Sequence, residues 1–162
     1  MPRPGYFCLA FAFLTGVAGL TASSEPRDDA VAPAGDLDLH YDAEAWDVTS
    51  GGTGTHVTCR ADGCRGVSLA ITVADPDEPP CTEALLTSYW GTEDAKMVRT
   101  SALSFIVTTH DFGCRNLAGG AVYACTAHAG KTYLVAAPGD HCQTPWQHDE
   151  IVLGVLDGLR PR

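Results

Sequence analysis

The chain has 162 residues, with 20 acidic side chains against 10 basic ones and a formal net charge of −10. That balance repels a phosphate backbone and disfavours anionic membrane surfaces, so nucleic acid is not expected as a partner. The length fits one domain, large enough to bury a proper core.

Residues 1–22 carry the parts of a secretory signal. Arg3 supplies the positive start, an apolar stretch runs from Tyr6 to Leu20, and small residues follow at Thr21, Ala22, Ser23 and Ser24, where a peptidase could cut. Gly16 and Gly19 interrupt the stretch and no basic stop-transfer cluster follows, so cleavage is expected over retention as an anchor. Cys8 stands at the beginning of the apolar stretch and does not close it, which is not the place of a lipoprotein cysteine. No later segment is long and apolar enough to span a membrane. Loss of Arg3 with the leader makes the mature chain one unit more acidic.

Residues 23–37 read as an acidic flexible tether, rich in Asp and Glu and broken by Pro26, Pro33 and Gly35. Asp36-Leu37-Asp38 is a fragment of a calcium loop without the remaining ligand spacing, so a solvated tail is the expectation. A single domain should then occupy residues 38–162.

Leu37, Leu39 and Tyr41 alternate with polar residues as in a first strand, with Trp46 and Val48 continuing nearby. Thr55–Cys59 and Val67–Val73 flank Arg60-Ala61-Asp62-Gly63, where Asp-Gly signals a hairpin. The glycines of Gly51-Gly52-Thr53-Gly54-Thr55 lack the Lys-Ser/Thr ending of a phosphate loop and read as a flexible connection. The proline-rich run from Asp75 to Pro80 ends the second strand.

A helix is predicted from Thr82, with Leu85, Leu86, Tyr89 and Trp90 on one face and Gly91 to stop it. Leu103–Phe112, Val122–His128 and Thr132–Ala136 then form a three-strand meander. Thr144-Pro145-Trp146-Gln147 has the form of a capping box that opens a last helix. Asp149 and Glu150 sit in its first turns, and Ile151, Val152, Val155, Leu156 and Leu159 form its apolar stripe. The predicted fold class is α+β: an antiparallel β-sheet with helices packed on one face, stapled by disulfides.

The Tyr41-to-Trp46 start, early hairpin, mid-chain helix and meander lead to a terminal helix reading Ile151-Val152-Leu153-Gly154-Val155-Leu156-Asp157-Gly158-Leu159. In element order, over roughly residues 38–160, this resembles the Mog1/PsbP-like α/β/α sandwich family of small exported bacterial proteins. The resemblance implies diverse, largely non-catalytic roles. The six mature cysteines are not part of the family's general pattern.

Cys59, Cys64, Cys81, Cys114, Cys125 and Cys142 lie behind the leader, as expected of a chain that matures in an oxidising compartment, periplasmic or secreted. The hairpins favour Cys59–Cys64 across the Asp-Gly turn and Cys114–Cys125 across neighbouring strands, leaving Cys81–Cys142 to join the two helix entrances. The absence of Cys-x-x-Cys spacing argues against structural zinc and thioredoxin chemistry.

Six histidines (His40, His56, His110, His128, His141, His148) raise a copper or zinc alternative. Its densest cluster is His141, His148 and Asp149 beside Cys142. His110 and His128 could meet across neighbouring strands. Ser68, Ser101 and Ser104 lack a Gly-x-Ser-x-Gly elbow, so no catalytic residue is expected. Trp46, Trp90 and Trp146 could line a cleft, although packing against the sheet accounts for them. No cofactor is expected. Two lysines, one asparagine and abundant Ala, Gly, Asp and Pro look like the output of a GC-rich bacterial genome.

The functional expectation is an exported, non-catalytic binding or accessory protein that acts through another protein carrying a basic patch. The alternative is a periplasmic copper- or zinc-binding protein, or a small enzyme, using the histidine-rich region near Cys142.

Overall fold

The computed structural model describes residues 29–91, 94–111, 120–139 and 147–162. Along the chain these form β1 (Asp29–Ala34), β2 (Leu37–Asp42), β3 (Trp46–Gly51), β4 (Gly54–Cys59), a short 3-10 turn (Asp62–Cys64) and β5 (Ser68–Val73). They continue with α1 (Glu83–Trp90), β6 (Lys96–Arg99), β7 (Ser104–Asp111), β8 (Gly120–His128), β9 (Lys131–Ala137), α2 (His148–Asp157) and β10 (Leu159–Pro161). The strands build two antiparallel sheets: a large one in the order β3-β4-β5-β9-β8-β7-β6 and a small one in the order β1-β2-β10. The architecture is α+β with antiparallel sheets and two helices.

The alternation along the central strands separates two apolar layers. On one face of the large sheet, Val57, Leu69, Ile71, Phe105, Val107, Val122, Ala124, Tyr133 and Val135 pack with Val152, Val155 and Leu156 of α2 and with Leu37, Leu39 and Leu159 of the small sheet. On the other face, Cys125 and Leu134 pack with Leu85 and Leu86 of α1. Leu134 and Val135 are successive residues on β9 and so point to opposite faces, as do Ala124 and Cys125 on β8. The helices therefore lie on opposite faces of the large sheet, which corrects the expectation of a single helical face. Each helix has its own apolar stripe, and neither stripe marks which side of the sheet it covers.

Several expected boundaries move. Part of the predicted tether is strand: Asp29–Ala34 pairs along all of β2, from Asp29↔Asp42 to Ala34↔Leu37, with Ala32 and Ala34 buried. Alanines small enough to sit under a neighbouring sheet supply the buried side of this strand, so its composition looked too polar to fold. Trp46 and Val48 do not continue the first strand. The chain turns after Asp42, whose Oδ1 accepts the Glu44 N–H at 2.9 Å, and crosses into the large sheet as β3.

The glycine run is the tip of the β3–β4 hairpin, with Gly51 paired to Gly54. Gly54 has φ +139°, and a Cβ there would meet the Ile71 carbonyl oxygen at 2.5 Å, so glycine is required. The capping sequence Thr144-Pro145-Trp146 lies outside the described residues. The described part of α2 begins at His148 after Gln147, which makes no side-chain cap hydrogen bond.

The predicted limits of α1 hold at both ends. Thr82 Oγ1 accepts the Leu85 N–H at 3.2 Å, and Gly91 closes the helix in the left-handed region at φ 64°. The meander is formed by β7, β8 and β9, in register from Ile106↔Cys125 through Cys125↔Leu134.

Candidate binding groove

The C-terminal half of α2 does not lie flat against the small sheet. Between them opens a groove of about 540 Å³, lined by His40, Tyr41 and Asp42 of β2, Trp46 of β3, Val57 of β4 and Cys64, with Ile151, Gly154, Val155 and Asp157 of α2, Gly158 and Arg160. The volume falls in the range of small-ligand sites.

Three local features hold this shape. Gly158 lets the chain leave α2 directly against β2: the His40 N–H donates to the Gly158 carbonyl at 2.9 Å, and a Cβ on Gly158 would run into the His40 carbonyl oxygen. Arg60 ties down the turn below Trp46. Its guanidinium donates to the Ala43 carbonyl and to the Glu44 carbonyl at 3.0 Å, and pairs with Asp47 at 3.0 Å. The Cys59–Cys64 bridge, with Cα atoms 5.7 Å apart, fixes the loop that brings Cys64 to the groove wall.

Both carboxylates in the lining are held by backbone N–H groups. Asp42 accepts from Glu44, and Asp157 Oδ1 accepts from Ser101 at 2.7 Å. Among the described residues, the polar side-chain atoms of His40, Tyr41, Trp46 and Arg160 have no hydrogen-bond partner. Gly154, in the interior of α2, has no atom within 4 Å of where a Cβ would stand. Interior helical glycine costs about 1 kcal/mol relative to alanine, and no packing requirement at this position offsets that cost.

Of these residues, only Trp46 was singled out in the sequence as a possible cleft residue. Arg160, His40 and Asp42 carry no local signal, because the small sheet brings them beside α2 only after β10 pairs with β2. Gly154 was the one legible clue, as a lone glycine interrupting an apolar helical stripe.

The cysteines expected to form cross-links are partly rearranged. Cys59 and Cys64 are joined, whereas Cys81 is joined to Cys125, with Cα atoms 5.6 Å apart. That bond is incompatible with both Cys114–Cys125 and Cys81–Cys142. The reason is the face on which Cys125 sits: it is fully buried under α1, where the Cys81 segment enters the helix. Cys114 and Cys142 lie outside the described residues. Next to this bridge Trp90 stacks on Tyr123 at 4.4 Å between ring centroids, so Trp90 serves packing on the outer face.

The histidines do not converge. His110 is opposite Ala121 and His128 opposite Lys131, at the two ends of β8, roughly 24 Å apart along the strand. Their proposed meeting across neighbouring strands is therefore corrected by the register. His56 is exposed on β4. His141 lies outside the described residues. His148 is 2% exposed, neither ring nitrogen has a hydrogen-bond partner, and Nδ1 stands 3.5 Å from Asp149 Oδ1. Among the described residues no group of three or more His, Cys, Asp or Glu side chains is arranged to hold a metal ion.

No protein-family model matches the chain, and no curated protein matches it by sequence. Its backbone, however, superposes on the solution structure of PsbP (CyanoP) from Synechocystis sp. PCC 6803 with a TM-score of 0.51. The match covers 91% of this chain and 100% of that one, at 9% identity. The fold is PsbP-like. At that identity the likeness concerns the fold alone, and the groove, the two bridges and the buried His148 are described from this chain's own residues. Among the described residues of the PsbP-like domain no helix is long and apolar enough to cross a membrane.

Proposed function

We propose that this PsbP-like chain is an exported accessory protein that works by binding another protein, not by chemistry. The groove between α2 and the small sheet is the observation that carries this reading: it is open, fixed by a bridge and an arginine clamp, and lined in part by the polar side chains of His40, Tyr41, Trp46 and Arg160, which have no hydrogen-bond partner among the described residues. Two bridges support maturation in an oxidising compartment, periplasmic or extracellular. The excess of acidic residues favours a partner with a basic patch.

The test is capture of partners by the immobilised, oxidised protein from an extract of its source cells, at low and high salt. A partner with a basic surface, released as salt rises, supports the reading. Recovery of no specific partner in either condition overturns it. Mass analysis of the protein recovered outside the cytoplasm should show the chain starting near residue 23; an intact leader would remove the export step.

A second reading, copper or zinc binding near the start of α2, is favoured by one observation: His148 is buried with both nitrogens unpartnered beside Asp149. Equilibrium dialysis of the folded protein against zinc or copper decides it, and a metal-free protein after dialysis ends that reading.

A further inference from the structure

We propose that the groove binds a short neutral saccharide. The inference starts from the charges in the lining, which contains one guanidinium, Arg160, and two carboxylates, Asp42 and Asp157. An anionic ligand would meet both carboxylates on a protein that is already strongly acidic. A cationic ligand would meet Arg160. A purely apolar ligand would strip water from all three charged groups and return no hydrogen bond, which is costly.

A neutral polyhydroxyl ligand avoids all three conflicts. Each hydroxyl both donates and accepts, so one ligand can donate to the carboxylates and accept from Arg160, from the His40 ring and from the Trp46 indole N–H. These donors have no partner among the described residues. Trp46 and Tyr41 add aromatic surface, and Ile151 and the edge of Val155 add apolar surface, against which the C–H faces of a sugar ring can pack. The volume of about 540 Å³ takes a mono- or disaccharide.

Gly154 is the second line of argument. It weakens α2, and a Cβ placed there would meet nothing within 4 Å. The space it leaves lies on the groove, so the glycine lets a ligand approach the helix backbone closely. Ligand access is a use for Gly154 that packing within the chain does not provide.

The proposal goes beyond the accessory reading and does not depend on any protein partner. It concerns the same groove, and the two fail separately: partner capture by a protein whose amides no neutral disaccharide moves overturns this proposal alone, and saccharide binding without partner capture overturns the accessory reading alone. The test is an amide NMR titration of the oxidised protein with maltose, cellobiose, trehalose and diacetylchitobiose at millimolar concentrations. The cationic glucosamine dimer and an anionic hyaluronan disaccharide serve as charged comparators.

At least one neutral disaccharide should shift the amides of Tyr41, Asp42, Gly154 and Gly158 to saturation, with both charged disaccharides about tenfold weaker. Gly154→Trp should abolish the shifts in a protein whose amide spectrum is otherwise native. Arg160→Gln removes a guanidinium with no hydrogen-bond or ion-pair partner among the described residues and so serves even if Gly154→Trp fails to fold; it should weaken binding about tenfold. The proposal is overturned if no neutral disaccharide moves these amides, if a charged one binds more tightly, or if both variants titrate like the parent protein.

Discussion

Tyr133 on β9 accepts the backbone N–H of Asp36 at 2.9 Å through its hydroxyl, with its ring completely buried under the β1–β2 turn. One side chain of the large sheet thus satisfies a donor at the tip of the small one. Removing the hydroxyl in Tyr133→Phe leaves that N–H without its partner, and a loss of about 1–2 kcal/mol is expected in urea unfolding. Gly35 fits the same contact: its φ is +68°, and a Cβ would stand 2.9 Å from Tyr133 Cε1. Gly35→Ala should cost about as much or more, because strain and crowding act together.

The carboxylate of Asp36 pairs with Lys131 at 2.6 Å. The hydrogen bond from Lys131 is the main cause that holds the Asp36 carboxyl below its ordinary 3.8, and the same bond raises Lys131 above its ordinary 10.5. An aspartate with a lowered value stabilises the fold above 3.8 and loses that contribution as pH falls through its folded value. A lysine with a raised value stabilises below 10.5 and loses its contribution as pH rises through its folded value. The pair therefore acts at full strength between these limits. Carboxyl NMR titration should place Asp36 below 3.8, and Lys131→Met should return it towards that value.

Gly154 and Gly158, four residues apart at the end of α2, should respond to alanine in opposite directions. Gly154→Ala meets open space in a helix interior and should raise stability by about 0.5–1 kcal/mol. Gly158→Ala drives a methyl group into the His40 carbonyl and should lower stability by about 1–3 kcal/mol. Thermal melts of the two variants, compared side by side, check the signs directly.

The two bridges close loops of very different length. Cys81–Cys125 spans a sequence separation of 44 and Cys59–Cys64 a separation of 5. By loop-closure entropy, replacing the first pair with alanines should cost about 4 kcal/mol and the second about 2 kcal/mol. Denaturant unfolding of the two double variants measures both, and equal losses would contradict the entropic account.

Besides Cys8, the remaining cysteines are Cys114 and Cys142, and the register of the described strands sets out where the chain leaves towards them. Asp111 pairs with Gly120, and Gly139 lies directly against the backbone of Gly120. The chain thus leaves towards Cys114 and towards Cys142 from the same end of the large sheet. Nonreduced peptide mapping should recover a Cys114–Cys142 peptide; two free thiols at these positions would refute it.

Local chemistry was readable wherever it decided the outcome. Thr82 and Gly91 bound α1 because a hydroxyl cap and a left-handed glycine act within a few residues of the backbone they serve. The meander was legible because β-branched runs alternate with glycine turns. What sequence could not give was set by distant pairing. β10 is only Leu159–Pro161 and is a strand because Leu37–Leu39 lies alongside it. β1 likewise depends on β2. Cys125 pairs with Cys81 because β8 turns it towards α1, and face assignment flips with a one-residue change of register. The groove was unreadable for the same reason, since its walls come from opposite ends of the domain.

The small sheet places β2 between β1, which precedes it directly, and β10, which is contributed by the last few described residues. Leu37, Leu39 and Leu159 are fully buried together, with Leu159 paired to Leu39. A nascent chain can form the local hairpins β3–β4–β5 and β6–β7–β8–β9, but it cannot complete this clasp until Leu159 has been delivered. Formation of the groove is thereby tied to the arrival of Leu159, and a product cut short before it would expose an apolar strand that proteases and chaperones can recognise.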